Sequence, residues 1–117
     1  MKTKKEIGKK LEYVVAQRLQ IAFNDTSIRP SKASGASTEL GDIRNSFLLV
    51  ECKKRNTNSI TINKNVWNHL IHQLPINSKR VPLLVLENKE GKQWAVMDLS
   101  DLQRLLARSY NATGEIQ

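Results

Sequence analysis

A chain of 117 residues, 39% hydrophobic and 26% charged, fits one domain (1–117) with a single core and is too short for two. One cysteine excludes an intrachain disulfide framework and a cysteine-based zinc cluster. Nineteen Lys and Arg against eleven Asp and Glu give a net charge of +8, most of it in residues 1–55, so a polyanion, nucleic acid before a membrane surface, is the expected partner.

Residues 3–23 follow a helical period, with Ile7, Leu11, Val14, Val15, Leu19 and Ala22 forming one apolar stripe. Residues 24–41 are rich in Asn, Ser, Thr and Gly and predict a loop with a short strand around Ile28. A hairpin follows: a strand over 42–44, a two-residue turn at Asn45-Ser46, and a strand from Phe47 to Lys53. Ile60-Thr61-Ile62 alternates like a brief strand. Asn63 is the expected N-cap of a helix over 64–74, stopped by Pro75. Val81 to Glu87 reads as a buried strand, Asn88 to Lys92 as a turn around Gly91, and Gln93 to Met97 as its hairpin partner. Asp98 or Ser100 caps a final helix carrying Leu102, Leu105 and Leu106, and a loose tail is expected from Tyr110. The order αβββαββα predicts a mixed sheet flanked by helices, of α/β or α+β type. The longest apolar runs, 47–50 and 82–86, are strand-sized; neither a signal peptide nor a membrane span is expected, and a cytoplasmic setting follows by default.

The chemistry concentrates at Gly41-Asp42 and Glu51-Cys52-Lys53. Alternation along a strand puts Glu51 and Lys53 on one face and Cys52 on the other. With a turn at Asn45-Ser46, Arg44 pairs with Phe47 and Asp42 with Leu49, which makes Asp42 a diagonal neighbour of Glu51 at roughly 7–8 Å. A three-residue turn would instead send Asp42 to the opposite face. Two carboxylates so placed can converge on Mg²⁺ or Mn²⁺, hard cations that keep waters for attack on a phosphodiester. Lys53 could orient or deprotonate water, or support charge on the phosphoryl oxygens. For a bare Glu-x-Lys the ordinary reading is a surface ion pair; here the apolar lead-in over 47–50 argues for a buried, functional strand end. Glu12 falls at the margin of the first helix's apolar stripe, one turn after Gly8, where an ionised carboxylate is costly unless paired or metal-bound.

Together these residues resemble the PD-(D/E)xK phosphodiesterase superfamily, which has the restriction-endonuclease-like fold. The pattern is Asp42, then Glu51-Cys52-Lys53, with Gly41 where the superfamily has proline. Within it the chain is similar to the small archaeal-type and phage-encoded Holliday junction resolvases. The likeness lies in a basic helix with Gly8-x-x-x-Glu12, a loop with Arg29 and Ser34-Gly35, the Asp and Glu-x-Lys strands, and a glutamine, Gln73, on the helix that follows. It spans roughly residues 3–100. The resemblance implies Glu12, Asp42 and Glu51 as metal ligands with the Cys52 carbonyl, Lys53 as the catalytic lysine, and Ser34 near the scissile phosphate, with Ser31 and Ser37 competing for that place. It also implies Mg²⁺ (or Mn²⁺) as cofactor, four-way or otherwise branched DNA as substrate in recombination and repair, a homodimer as the working unit, and a prokaryotic cell or phage-infected host.

Lys4, Lys5 and Lys9 with Lys2 and Lys10, then Arg29, Lys32, Lys53, Lys54 and Arg55, would form the DNA-binding surface, joined by Gln73; solvated charge is the alternative. His69 and His72, three apart, read as surface histidines, Trp67 and Trp94 as core or interface anchors, and Cys52 as a small buried hydrophobe. Two other functions stay open: a nicking, flap, repair or restriction-like nuclease on the same fold, and a non-catalytic basic module that binds nucleic acid.

Overall fold

The computed structural model describes the backbone of residues 4–31 and 42–113 and the side chains of 10–31, 42–43 and 45–108. Three helices, α1 (Lys4–Phe23), α2 (Lys64–His72) and α3 (Leu99–Thr113), accompany five strands: β1 (Arg29–Pro30), β2 (Ile43–Arg44), β3 (Leu48–Lys54), β4 (Val81–Glu87) and β5 (Gln93–Val96). The chain order αβββαββα agrees with that read from the sequence. The sheet runs β1-β2-β3-β4-β5 and is mixed: β3 and β4 are parallel, and the other neighbours are antiparallel.

Helix α2 lies in the crossover that a parallel β3–β4 pair requires. Both faces of this pair are covered, so β4 reads as a continuous apolar run rather than an alternating one. On one face Leu11, Val15 and Ala16 of α1 pack with Ile28, Ile43, Leu48, Val50, Val81, Leu83 and Val85. On the other, Leu49, Leu84 and Leu86 pack with Leu70 of α2, and Ile60, Val66 and Trp67 close over them. Pro82 fits in β4 for a specific reason. The Val81 N–H points to β3, where it donates to the Phe47 carbonyl at 2.7 Å, so the next residue faces the β5 side. There β5 pairs only with Leu84 to Glu87, and at Pro82 no ladder bond is lost.

The helix ends follow local chemistry. Asn24 stands at φ 51°, the left-handed position that ends α1, with bonds from its own N–H to Ile21 O and from Asp25 N–H to Gln20 O. Asn63 caps α2 by accepting from Asn65 N–H at 2.8 Å. Asp98 caps α3 through Ser100 N–H, also at 2.8 Å.

Several sequence expectations are corrected. The α1 stripe is rotated: Val14 and Ala22 are exposed, and Ala16, 2% exposed, takes the core position where a small side chain lets helix and sheet approach. Ile60-Thr61-Ile62 is no strand; Ile60 packs under α2 while Ile62 faces solvent. Helix α2 stops at His72 rather than 74, with Gln73 as its C-cap. Helix α3 continues through Tyr110 to Thr113. The β2–β3 turn is also displaced, with consequences for the site. Among the described residues no helix is long and apolar enough to cross a membrane.

Leu84 is fully buried between β3 and β5, whereas Leu99 is 75% exposed. Leu84→Ala should cost about 2–5 kcal/mol in urea unfolding, and Leu99→Ala should stay within about 0.5 kcal/mol.

Candidate active site

The site begins with the hairpin register. The turn is Ser46-Phe47, one position later than expected, because the Asn45 side chain accepts both Phe47 N–H at 3.0 Å and Leu48 N–H at 2.8 Å. Ile43 therefore pairs with Val50 and Arg44 with Leu49. The shift moves every partner by two residues, so parity is preserved. Asp42 lies one step beyond the last pair, where the ladder becomes irregular: its N–H turns to β3 while its carbonyl accepts from Ser31 N–H on the β1 side. Its N–H donates to Val50 O at 2.8 Å, and its Oδ2 accepts from Cys52 N–H at 2.7 Å. A carboxylate thus takes the place of a backbone carbonyl at the end of the ladder, a charge-assisted bond that fixes its position on β3.

Glu51 is 8% exposed and shares its face of β3 with Leu49 and Lys53. The Lys53 ammonium lies 3.5 Å from Glu51 Oε1, with its own side chain 40% exposed. From the end of α2, Gln73 hydrogen-bonds the Glu51 carboxyl. Burial pushes the Glu51 pKa up, the Asp42 charge pushes it further, and Lys53 and Gln73 offset only part of this. The Cys52 thiol points to the α1 face; burial, then the charges of Asp42, Glu12, Glu51 and Glu87, raise its pKa far above neutrality, which makes it inert as a nucleophile.

Glu12 is half-buried on α1, and its charge is felt at Cys52. Among the described residues, no three His, Cys, Asp or Glu side chains are grouped to hold an ion. Asp42 and Glu51 are near enough for the charge of one to raise the pKa of the other, and a peptide carbonyl lies on the Asp42 side of β3. Backbone direction alternates along β3, so the Cys52 C=O shares the edge from which Cys52 N–H reaches Asp42, past the last β2 residue. Two carboxylates and a carbonyl are hard oxygen donors, the set that Mg²⁺ or Mn²⁺ takes with several waters retained. The residues present fit such an ion.

The other candidate residues separate. Lys54 lies on the opposite face from Lys53 and is tied to Glu87 at 2.8 Å, with a second bond to Asn88 O at 3.3 Å. Burial raises the Glu87 pKa, but the hydrogen bonds from Lys54 and Gln93 outweigh it and hold the carboxyl below its ordinary value. Arg29 is exposed, its Nε donating to Thr26 O. Arg55 directly follows Lys54, the last residue of β3, and lines an open pocket. His69 and His72 are both exposed. Ser34, Ser37, Gly35, Gly41 and Lys32 lie outside the described residues, as do the side chains of Lys4, Lys5 and Lys9. Of the competing serines, Ser31 is described: its N–H donates to Asp42 O at 2.8 Å, and its Oγ is buried with no hydrogen-bond partner among the described residues. Sequence reasoning missed the bridge from Gln93 to Glu87 and Arg18, which rests on strand register and carries no local signal.

No family model matches the chain, and no curated protein or solved structure is significantly similar to it.

The geometry fixes two titration outcomes. A carboxyl whose pKa is raised by folding contributes stability that is fully present below its unfolded pKa and is lost as pH rises through the folded pKa. Glu51→Gln should therefore stabilise the protein at pH 7, by a margin that vanishes below about pH 4, in urea unfolding at both pH values. In carbon-detected NMR titrations, Asp42→Asn should lower the Glu51 pKa and Lys53→Ala should raise it.

Proposed function

We propose that the chain is a metal-dependent DNA endonuclease of the PD-(D/E)xK, restriction-endonuclease-like type, with a four-way junction as its preferred substrate. One observation carries this reading: Glu51, buried and near a second carboxylate, with the Lys53 ammonium 3.5 Å away. A sheet that needed only stability would continue the Leu49 face with an apolar side chain, because a buried acid beside another acid is unfavourable. The arrangement gains a rationale when it serves chemistry, since strained electrostatics of this kind collect at functional sites.

A Mg²⁺ or Mn²⁺ ion held by Asp42, Glu51 and the Cys52 carbonyl would neutralise the scissile phosphate and acidify a water. The chain's own residues do the rest. The Cys52 N–H holds Asp42 in place, and Gln73 orients the Glu51 carboxyl from the far side. Lys53, half in solvent at the strand's exit, offers its ammonium to a non-bridging phosphate oxygen and to the attacking water. Glu12 adds negative charge behind the strand, near Cys52.

The net charge of +8 supports a polyanionic substrate. Junction preference rests on the resemblance of Gly8-x-x-x-Glu12, Asp42, Glu51-x-Lys53 and Gln73 to the small resolvases. Opposed cuts need two active sites, and the apolar side chains of Leu99, Leu102 and Leu106, exposed along α3, favour this helix as the face that two copies would share.

Labelled four-way junction, flap and linear duplex, each incubated with Mg²⁺, Mn²⁺ or EDTA, test the proposal. Symmetric, metal-dependent cuts near the junction centre are expected, with flap and duplex left largely intact. Asp42→Asn, Glu51→Gln and Lys53→Ala should each lower the cleavage rate by at least about 10²-fold while DNA binding in EDTA persists. Cutting of all three substrates alike would retain the nuclease and remove the junction preference, and tight binding without cutting in any metal would refute the hydrolytic reading.

A further inference from the structure

Beyond Lys54 the chain leaves β3 and forms a cavity of about 300 Å³, lined by Arg55, Thr57, Ser59, Thr61 and Asn63. We propose that this pocket seats a backbone phosphate of the DNA strand bound at the candidate active site, one nucleotide step from the phosphate that is cut. The inference rests on the nuclease reading and adds to it a defined anchoring subsite.

The lining chemistry is that of an anion site. It comprises a guanidinium, three hydroxyls and an amide, with no carboxylate among them. Arg55 is half-buried, and among the described residues its guanidinium makes no ion pair. The Asn63 oxygen is occupied by Asn65 N–H, which leaves its NH₂ to donate. Thr57 gives its hydroxyl proton to Ser59 O at 2.9 Å, so Ser59 and Thr61 carry the hydroxyl donors. The positive end of α2 adjoins this wall, and its first turn contains no acidic residue to neutralise it.

The pocket is also held rigid. Arg55 N–H donates to Glu87 O at 2.8 Å and Lys89 N–H to Thr57 O at 2.9 Å. The Asn88 side chain, 4% exposed as a residue, donates to Asn58 O at 3.1 Å. The β4–β5 turn therefore holds the segment against the sheet, and an anion would meet donors already in place.

Placement decides the ligand. Alternation puts Arg55 on the face of Glu51 and Lys53, and two residues of extended chain separate it from Lys53, about 7 Å. A strand whose scissile phosphate lay beside Lys53 would bring its neighbouring phosphate to Arg55. A free phosphate would satisfy the same donors without using that spacing, and the two ligands are separable.

The test uses the full chain in EDTA. Backbone amide NMR is followed during titration with four-way-junction DNA and, separately, with inorganic phosphate. DNA affinity is measured against salt for the wild type, Arg55→Gln, Arg55→Lys and Ser59→Ala. DNA should shift the amides of residues 57–63 at micromolar concentration, and inorganic phosphate should do so only at millimolar concentration. Arg55→Gln should weaken DNA binding about tenfold at 0.1 M salt and reduce the slope of log K against log salt by about 0.9, while Arg55→Lys restores the slope. Ser59→Ala should weaken binding with the slope unchanged. Wild-type affinity and slope in both Arg55→Gln and Ser59→Ala would overturn the subsite. So would amide shifts as large with inorganic phosphate as with DNA at equal concentration. Metal-dependent cleavage by the wild type, assayed in parallel, reports on the nuclease reading independently of either result.

Discussion

The candidate site depends on the register in which β2 meets β3. One residue of slip would turn the paired β2 side chains to the opposite face and break the bond that holds Asp42 on Cys52 N–H. Asn45 guards against that slip by accepting from two successive backbone N–H groups and so setting the turn at Ser46-Phe47. The Asp42 carboxylate then closes the ladder onto Cys52 N–H, and the hairpin ends in a charge instead of another pair. A structural bond and a chemical group are the same atoms here, which ties the position of the acid to the integrity of the sheet.

That union has a thermodynamic cost. Glu51 is desolvated and repelled by Asp42, and its partners Lys53 and Gln73 offset the penalty only in part. The rest of the molecule is built to tolerate it. Leu49, Leu84 and Leu86 beneath α2, and the larger cluster beneath α1, bury apolar surface on both sides of β3 and β4 and hold the strand end rigid. Local instability at one strand end is thus supported by a well-packed sheet on either side.

Much of this was legible in the chain, and the failures have physical causes. Val81 to Glu87 could be read as a buried strand because seven residues without polar alternation fit only a strand covered on both faces. Helix α1 was legible from its period, but its facing was not: a hydrophobicity pattern weights Val14 over Ala16, whereas close approach to a sheet favours the smaller side chain. Ile60-Thr61-Ile62 mimicked a strand because three alternating residues carry too little information to tell an edge strand from a loop that tucks one isoleucine under a helix. At the site, Asp42 still comes near enough to Glu51 for its charge to be felt there, although the turn was misplaced and Asp42 itself falls beyond the paired residues. The pairing of Lys54 with Glu87 did not follow from anything local, since it requires the parallel register of two strands 33 residues apart. The Arg55 pocket was hidden for the same reason: its walls come from a loop whose shape is set by the distant Asn88 turn.

Pro82 carries a consequence beyond its tolerance in β4. The first half of that strand extends past the reach of β5, and an apolar, partly unpaired strand is a template on which a second chain can build a sheet. With a pyrrolidine ring at that position, the outward edge lacks the donor an incoming strand would need, and the ring itself obstructs close approach. The most hydrophobic segment of the protein thus contains its own protection against aggregation while the chain is folding.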